Sequence, residues 1–276
     1  MAQSGARRQA ELLRRQGNKA YERQRFGAAI DLYTEAITLC PEVPEYYTNR
    51  ALCYLKRNDW KRVEEDSSRA IELDRDSVKA YYMMGRALLE RQDYDGAIKK
   101  LRKALDLGRV ADPVGYMVEE IWHYFAKAND ARWEEESSKR VCRLQELRET
   151  CVEALNQHHF LETFDRGAIS EEVADAHSER LEHLNQVFNT ALKDDIPADV
   201  PDYLCCKLTL DIFRDPVITP SGVTYERAVI IDHLHNVGKF DPVSRKRLEP
   251  DQLVPNLAIK EAVQAFLDEH GWAYKT

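Results

Sequence analysis

A repeat of 34 residues runs through the amino-terminal part of the chain and limits what that part can fold into. When the sequence is shifted against itself by this step, small residues align with small residues and leucines with leucines. The aligned sets are Gly17, Ala51 and Gly85; Ala29, Val63 and Ala97; Ala36, Ala70 and Ala104; and Leu39, Leu73 and Leu107. Small residues let paired helices approach closely, and we expect the leucines to fill the groove between units. The period therefore predicts stacked pairs of antiparallel helices.

This period is typical of tetratricopeptide repeats. Three repeats fit, at roughly 10–43, 44–77 and 78–111, and three units are the minimum for a continuous core. A capping helix from Val114 to Trp133 is expected to close the array, so residues 1–133 form the predicted repeat domain. The predicted fold class is mainly α, a helical solenoid joined by a helical spacer to a small α+β domain.

Polar residues recur at matching positions on the first helices of the repeats. Arg14 and Asn18 are four residues apart and share a helix face, while Asn49 and Lys79 follow in the second and third repeats. Two cations and two amides that converge on a groove suit a carboxylate, ideally the carboxy-terminus of a peptide. Each charge-assisted hydrogen bond would contribute ~1.5–3 kcal/mol. The alternative is that Arg14 and Lys79 merely solvate a helix surface.

Residues 134–193 are rich in charge and carry two apolar stripes at helical spacing. Their members are Val141, Leu144, Leu147, Cys151 and Leu155, and then Leu181, Leu184, Phe188 and Leu192. The pattern breaks from Phe160 to Ser170, which predicts an antiparallel helical hairpin. Each stripe is narrow and needs a partner, either a second copy of the chain in a coiled-coil homodimer or the chain's own repeats. Residues 194–201 contain two prolines and three acids and are a predicted hinge.

Residues 202–276 have the pattern of a compact α+β module. Two β-rich runs at 215–219 and 223–225 flank a Pro-Ser-Gly turn and predict a hairpin. Apolar spacing predicts a helix over 226–236 and a final helix capped by Asn256. The residues that share one face of this last helix are Ile259, Val263 and Phe266.

Charge and composition argue against several classes of function. With 40 Lys and Arg against 48 Asp and Glu, the net charge is −8, which disfavours nucleic-acid binding. No apolar run is long enough for a membrane span, and the residues after Met1 do not read as a signal peptide. The six cysteines are scattered, which favours reduced thiols and a cytoplasmic or nuclear location.

Metal chemistry and thiol chemistry are both weakly supported. Cys205 and Cys206 are adjacent, and His233 and His235 have no second pair, so the paired spacing of a zinc module is missing. We therefore expect no metal and no cofactor. Cys205 or Cys206 could in principle be a nucleophile that forms a thioester, with His233 as base, but a catalytic thiol needs an electropositive, exposed site and these lie in an apolar stretch.

Several segments in fixed order carry a resemblance to a known family. They are Pro201-Asp202-Tyr203-Leu204-Cys205, Ile218-Thr219-Pro220-Ser221-Gly222, Val237-Gly238, Phe240-Asp241-Pro242-Val243 and Pro255-Asn256-Leu257-Ala258. The module they form resembles the U-box of ubiquitin ligases, and the whole chain resembles the CHIP-like co-chaperone ligases. The resemblance implies a metal-free RING-like fold, braced by hydrogen bonds, that grips a ubiquitin-conjugating enzyme and orients its thioester-linked ubiquitin.

By this resemblance the docking groove for the conjugating enzyme maps onto Leu208, Leu210, His233, Pro242 and Arg245. Arg245 resembles the linchpin that contacts conjugating enzyme and ubiquitin together, without acting as a nucleophile. Each residue has a plainer interpretation as well: Leu208 could fill the core, His233 could be a packing histidine, and Arg245 could be one more solvated cation.

The repeat domain likewise resembles the carboxylate clamp that holds the Glu-Glu-Val-Asp tails of seventy- and ninety-kilodalton heat-shock chaperones. Arg14 stands where the clamp family usually has Lys, and Met83 where many members have Arg. The resemblance implies a homodimeric ligase that ubiquitinates misfolded chaperone clients. The alternative is a non-enzymatic chaperone adaptor, favoured by Leu210 in place of an aromatic residue and Cys206 in place of glycine.

Overall fold

The computed structural model describes residues 2–111, 116–166 and 171–275. Its first part is a solenoid of three helix pairs: α1 (Ala2–Glu22) with α2 (Phe26–Leu39), α3 (Pro44–Lys56) with α4 (Trp60–Leu73), and α5 (Val78–Glu90) with α6 (Tyr94–Ala111). None of the helices in the described ranges has the length and apolar character that a membrane crossing requires. The predicted fold class is confirmed.

The 34-residue period is visible in the backbone as well as in the side chains. Gln24, Asn58 and Gln92 follow one another at this step, and each has a positive φ, of 57°, 57° and 64°. Each lies in the turn that joins the two helices of a repeat. A residue in the left-handed region reverses the chain in two or three residues, so the same turn is built three times.

Close packing within each repeat explains the small residues. A Cβ on Gly17 would lie 2.5 Å from the ring of Tyr33, and a Cβ on Gly85 would lie 2.5 Å from Leu101. The corresponding residues of the middle repeat are Ala51 and Ser67, both fully buried. The first and third repeats thus pair glycine with a large residue, and the middle repeat has alanine and the small Ser67 at the same positions.

The prediction that the repeated leucines fill the groove between units is wrong for Leu39. This side chain is 39% exposed, and Leu73 and Leu107 are only half-buried. Leu39 and Leu73 are the last residues of α2 and α4, and Leu107 lies four residues before the end of α6. The core is filled instead by the alanines and valine of the period and by the residues that face them.

A single helix, α7 (Tyr116–Arg166), leaves the solenoid and extends for 51 residues. At 1.5 Å per residue it is about 75 Å long. The predicted boundary between residues 133 and 134 therefore falls inside one continuous helix, and the start of the predicted capping helix, at Val114, is outside the described residues. The helix also continues through Phe160, because no glycine or proline occurs before Gly167 and the change of pattern only moves apolar side chains outward.

Helix α8 (Glu171–Ala191) returns along α7 and forms an antiparallel hairpin with it. The rings of His159 and His177 stack at 4.2 Å between centroids, and the side chain of Asn156 contacts His177 at 3.1 Å. Phe188 is the buried apolar anchor of α8. Gly167 and the rest of the connection lie outside the described residues. In the predicted hinge, Asp195 is held by the guanidinium of Arg140, with an Nη2–Oδ1 distance of 2.5 Å.

The carboxy-terminal module is a small sheet flanked by two helices. Strands β1 (Pro216–Ile218), β2 (Thr224–Glu226) and β3 (Val254–Pro255) form an antiparallel sheet in the order β2-β1-β3. Helix α9 (Arg227–Asn236) follows β2, and α10 (Leu257–Glu269) follows β3. As predicted, Asn256 caps α10, since its Oδ1 accepts a hydrogen bond of 3.2 Å from the Ile259 amide.

This module, which we call the head, is seated on the first half of α7. Tyr274 packs against Phe125 and Trp122, and a Cβ on Gly271 would lie 2.6 Å from Trp133. The guanidinium of Arg214 binds Glu119 at 2.6 Å and lies over the ring of Trp122. Burying aromatic rings here joins the core of the head to that of the solenoid.

Candidate functional site

The two amides of the predicted clamp face each other across the solenoid. Asn49 Nδ2 on α3 donates to Asn18 Oδ1 on α1 at 3.5 Å, and the Tyr33 hydroxyl donates to the same oxygen at 2.8 Å. Burial raises the pKa of Tyr33, so the phenol stays protonated and remains a donor. Because the Asn18 oxygen accepts both bonds, its NH₂ group is left to donate to a ligand.

Arg14 lies one turn before Asn18 but is already engaged. Its Nε and Nη2 donate to the two carboxylate oxygens of Glu11 at 2.8 and 2.7 Å, and Arg15 Nε reaches Glu11 Oε1 at 3.2 Å. These hydrogen bonds lower the pKa of Glu11 to about 2, and the bond from Arg14 has the largest effect. The pair borders a cavity of about 990 Å³ whose charged lining consists of Arg7, Arg8, Glu11, Arg14, Arg15 and Glu45.

The two predicted clamp residues on α5 lie in different environments. Lys79 is exposed, and in the described ranges its amino group contacts no acidic side chain. Met83 is only 3% exposed and belongs to the core that joins the repeats. Lys79 is therefore free to bind an anion, whereas Met83 offers a peptide little surface in this structure.

In the head, two loops have the same backbone turn. The amide of Leu210 donates to the carbonyl of Cys206, and the amide of Arg245 donates to the carbonyl of Asp241, both at 2.9 Å. Leu210 and Arg245 have φ angles of 65° and 60°. A positive φ at a leucine or arginine is uncommon and costs ~1–2 kcal/mol. The positive φ lies at the last residue of each five-residue turn, Cys206–Leu210 and Asp241–Arg245, and directs that residue toward solvent.

The apolar residues of these loops point to solvent. Leu208 is 40% exposed and Leu210 is 78% exposed, so neither belongs to the core in this structure. Val243, next to the half-buried Pro242, is 59% exposed. Each loop therefore presents apolar side chains that a partner protein could cover.

His233 and Arg245 meet at the ring of Phe240 in the second loop. His233 Nε2 lies 3.0 Å from the Phe240 carbonyl oxygen, and the two rings pack edge to face. The Arg245 guanidinium lies 5.3 Å from the Phe240 ring centre and, within the described ranges, has no carboxylate partner. His233 is therefore a brace for the loop, and Arg245 presents a charged fork beside the apolar surface.

Asp241 ties the two halves of the head together from a buried position, only 1% exposed. Its carboxylate accepts hydrogen bonds from five donors: the hydroxyls of Thr219, Ser221 and Tyr225 and the amides of Val243 and Ser244. Burial alone would raise the pKa of Asp241, but the bonds from Ser221, Ser244 and Tyr225 outweigh it and hold this pKa well below its ordinary value. Sequence analysis alone could not pair Asp241 with these donors, because three of them are 16 to 22 residues away.

A second, half-buried carboxylate braces the first loop. Glu226 accepts from the amides of Arg214 at 2.8 Å and Asp215 at 3.1 Å, while its own amide donates to the Cys206 sulfur at 3.4 Å. Burial raises the pKa of Glu226. Asp215 is in turn held by Arg227 at 2.6 Å.

The thiols are poorly placed for catalysis. Cys206 is 1% exposed and accepts the Glu226 amide, and burial raises the pKa of Cys205, which disfavours its thiolate. Within the ranges the structure describes, no three His, Cys, Asp or Glu side chains gather as a metal-binding group. The surface of the head thus offers apolar contacts, a proline and an arginine.

Comparison with known families matches residues 200–272 to the U-box domain and residues 14–62 and 78–108 to tetratricopeptide repeats. Over 266 residues the chain is 56% identical to the E3 ubiquitin-protein ligase CHIP of Arabidopsis thaliana, covering 96% of either chain. It is 40% identical over 98 residues to the Translocon at the outer membrane of chloroplasts 64 of Pisum sativum, covering 36% of this chain and 16% of that protein. It is 34% identical over 93 residues to the Hsp70-Hsp90 organizing protein 2 of Arabidopsis thaliana, covering 34% and 16%.

Proposed function

The chain belongs to the CHIP family of E3 ubiquitin-protein ligases, and from that premise we propose how its solenoid and its head divide the work. The solenoid holds the acidic carboxy-terminal tail of a heat-shock chaperone. The head holds a ubiquitin-conjugating enzyme, and ubiquitin passes to a misfolded client that the chaperone carries. The observation that carries this proposal is that the clamp residues of the solenoid and the loop residues of the head are accessible in the same chain. The residues that fix the head on α7 are different ones.

Catalysis in this proposal is a matter of orientation. The apolar surface of Leu208, Leu210 and Pro242 anchors the conjugating enzyme, and the Arg245 fork reaches across to its bound ubiquitin. Holding the thioester in one orientation removes rotational freedom before the client lysine attacks. Neither the buried Cys206 nor the loop-bracing His233 takes part in bond making.

The tail fits the chemistry of the solenoid. Among the described residues Lys79 has no acidic partner, and the Asn18 amide is free to donate. The name Hsp70-Hsp90 organizing protein of one relative supports chaperones of these classes as partners. We also place the protein in the cytoplasm or nucleus, where its scattered cysteines would stay reduced.

The first prediction tests the ligase head. Changing Arg245 to alanine should reduce self-ubiquitination by on the order of tenfold or more, because one charge-assisted contact is worth ~1.5–3 kcal/mol. Changing Pro242 to alanine should act in the same direction, because it removes an apolar contact and frees the backbone of the second loop. The assay combines activating enzyme, a panel of conjugating enzymes, ubiquitin and the full chain. Lys246→Ala, which removes the exposed neighbouring cation, is the matched control and should keep its activity. Inactivity of the unmutated chain with every conjugating enzyme would point to an adaptor instead.

We propose that the hairpin joins two copies of the chain. Its outer surface carries large apolar side chains that nothing in the described structure covers: Leu147 (53% exposed), Phe160 (66%), Leu161 (61%), Phe164 (75%) and Val187 (65%). A run of this kind along two helices is typical of a helical-bundle interface. A second hairpin of the same sequence would cover it.

The second prediction tests this assembly. The double change Phe160→Asp and Phe164→Asp should give a monomer in sedimentation at concentrations where the unmutated chain is a dimer, because two charges would have to be buried. Val110→Asp adds a charge to an equally exposed apolar site outside the hairpin, where the side chain is 88% exposed, and should leave the dimer intact. A dimer that survives the double change would exclude this interface.

A further inference from the structure

The Arg14 fork of the clamp is occupied by a carboxylate of the chain itself. Glu11, three residues earlier on α1, accepts from both Nε and Nη2 of Arg14 at 2.8 and 2.7 Å. This two-point arrangement is the one that a planar guanidinium makes with any free carboxylate. A peptide carboxy-terminus bound at Arg14 would need the same two donors.

Competition between the two carboxylates follows from their charge. If Glu11 stayed in place, the incoming carboxylate would lie beside it and would bind only the outer N–H groups of Arg14. Like charges at this range repel, and one guanidinium cannot give its fork to two carboxylates at once. Binding of a tail at full strength therefore requires Glu11 to leave.

The surroundings give Glu11 somewhere to go. Arg15 Nε already contacts Glu11 Oε1 at 3.2 Å, from the more exposed side of the helix, where its side chain is 71% exposed. The Glu11 and Arg14 side chains are themselves 37% and 30% exposed, so their ion pair is partly solvated and exchanges at small cost. Arg7 and Arg8 line the same cavity and keep it positive after the exchange.

We propose that Glu11 is a built-in competitor, which occupies the Arg14 fork in the empty solenoid and moves onto Arg15 when a peptide carboxylate enters. Glu11 thereby lowers the affinity of the clamp for its ligand, and only a ligand with a carboxylate can displace it from Arg14. The proposal rests on the proposed binding of chaperone tails by the solenoid. It adds to that function a specificity-determining residue that does not itself contact the ligand.

The test is the affinity of the full chain for a peptide ending Glu-Glu-Val-Asp with a free carboxy-terminus, measured by calorimetry. Glu11→Gln should bind roughly threefold to fivefold more tightly, the upper range for a partly exposed ion pair. Glu22→Gln makes the same change of charge at the far end of α1 and should give no such gain. In an Arg14→Ala background, Glu11→Gln should give no gain either, since Glu11 acts through Arg14.

The outcomes separate the proposal from the function on which it rests. Equal affinity of Glu11→Gln and the unmutated chain, with both binding the free peptide and rejecting its amidated form, would overturn the competitor and leave the clamp. A gain that persists without Arg14, or an equal gain in Glu22→Gln, would also overturn it by reducing the effect to net charge. Failure of both proteins to bind the free peptide would overturn the clamp and the competitor together.

Discussion

Replacing Asp241 by alanine is expected to unfold the ligase head while the first repeats of the solenoid stay folded. The change removes one carboxylate and leaves five donors without their acceptor, three of them hydroxyls contributed by the β1–β2 hairpin region. An unsatisfied buried donor costs ~1–3 kcal/mol, so the loss should exceed about 4 kcal/mol, the range that disrupts a small domain. Self-ubiquitination should disappear, whereas binding of the chaperone tail should persist.

Thermal unfolding followed by tryptophan fluorescence provides the measurement, because Trp272 is buried at the end of the head. Asp251→Ala removes an exposed acid from the same head and should unfold like the unmutated chain.

Low pH should destabilise the head as Asp241→Ala does. Since the folded pKa of Asp241 lies below its ordinary value of 3.8, its stabilisation is present above that pH and is lost as the pH falls further. A head that unfolds normally without Asp241 would contradict its assignment as the central brace.

Replacing Lys79 by alanine is expected to lower the affinity for the chaperone tail by about one to two orders of magnitude. Lys79 is the cation of the clamp with no acidic partner in the described structure, so its full charge is available to the ligand. A charge-assisted hydrogen bond of ~1.5–3 kcal/mol corresponds to this loss. Amidating the carboxy-terminus of the peptide should have a similar effect, because it removes the negative charge that the clamp reads.

The matched control for this change is Lys56→Ala, which removes an exposed lysine from the end of α3 without touching the groove. It should bind the tail as the unmutated chain does. Self-ubiquitination should be unchanged in both variants, since the head is untouched. Equal binding of the amidated and free peptides would refute the clamp as a reader of free carboxy-termini.

Periodic patterns predicted the parts of this structure that local chemistry decides. The step from Gly17 to Ala51 to Gly85 identified the helix crossings, because a close crossing excludes side chains whatever the rest of the chain does. Asn256 was predictable as a helix cap for the same reason, since its partner amide is three residues away. The ends of long helices were less predictable: the apolar pattern changes at Phe160, but α7 continues to Arg166 because no glycine or proline interrupts it.

Contacts between distant segments set the limit of prediction. Asp241 was notable only as part of a family segment, and its sequence neighbours do not identify donors from β2 and from the turn between β1 and β2. Met83 shares the helix and phase of Lys79, yet it lies in the core, where it packs with residues of the neighbouring repeats. The pairing of Arg14 with Glu11 follows from a spacing of three on a helix and was predictable from the sequence, although the clamp pattern assigns Arg14 to the ligand.

The seat of the head on α7 has a consequence for which lysines receive ubiquitin. With Gly271 pressed against Trp133 and Arg214 bound to Glu119, the span between the chaperone anchor and the activated thioester is fixed by the scaffold. Only those lysines of a client that can come close to the thioester would then receive ubiquitin. An unfolded client would bring many of its lysine amines to a reaction centre held in one place, whereas a small, folded client would bring few. We therefore expect the scaffold itself to favour unfolded substrates.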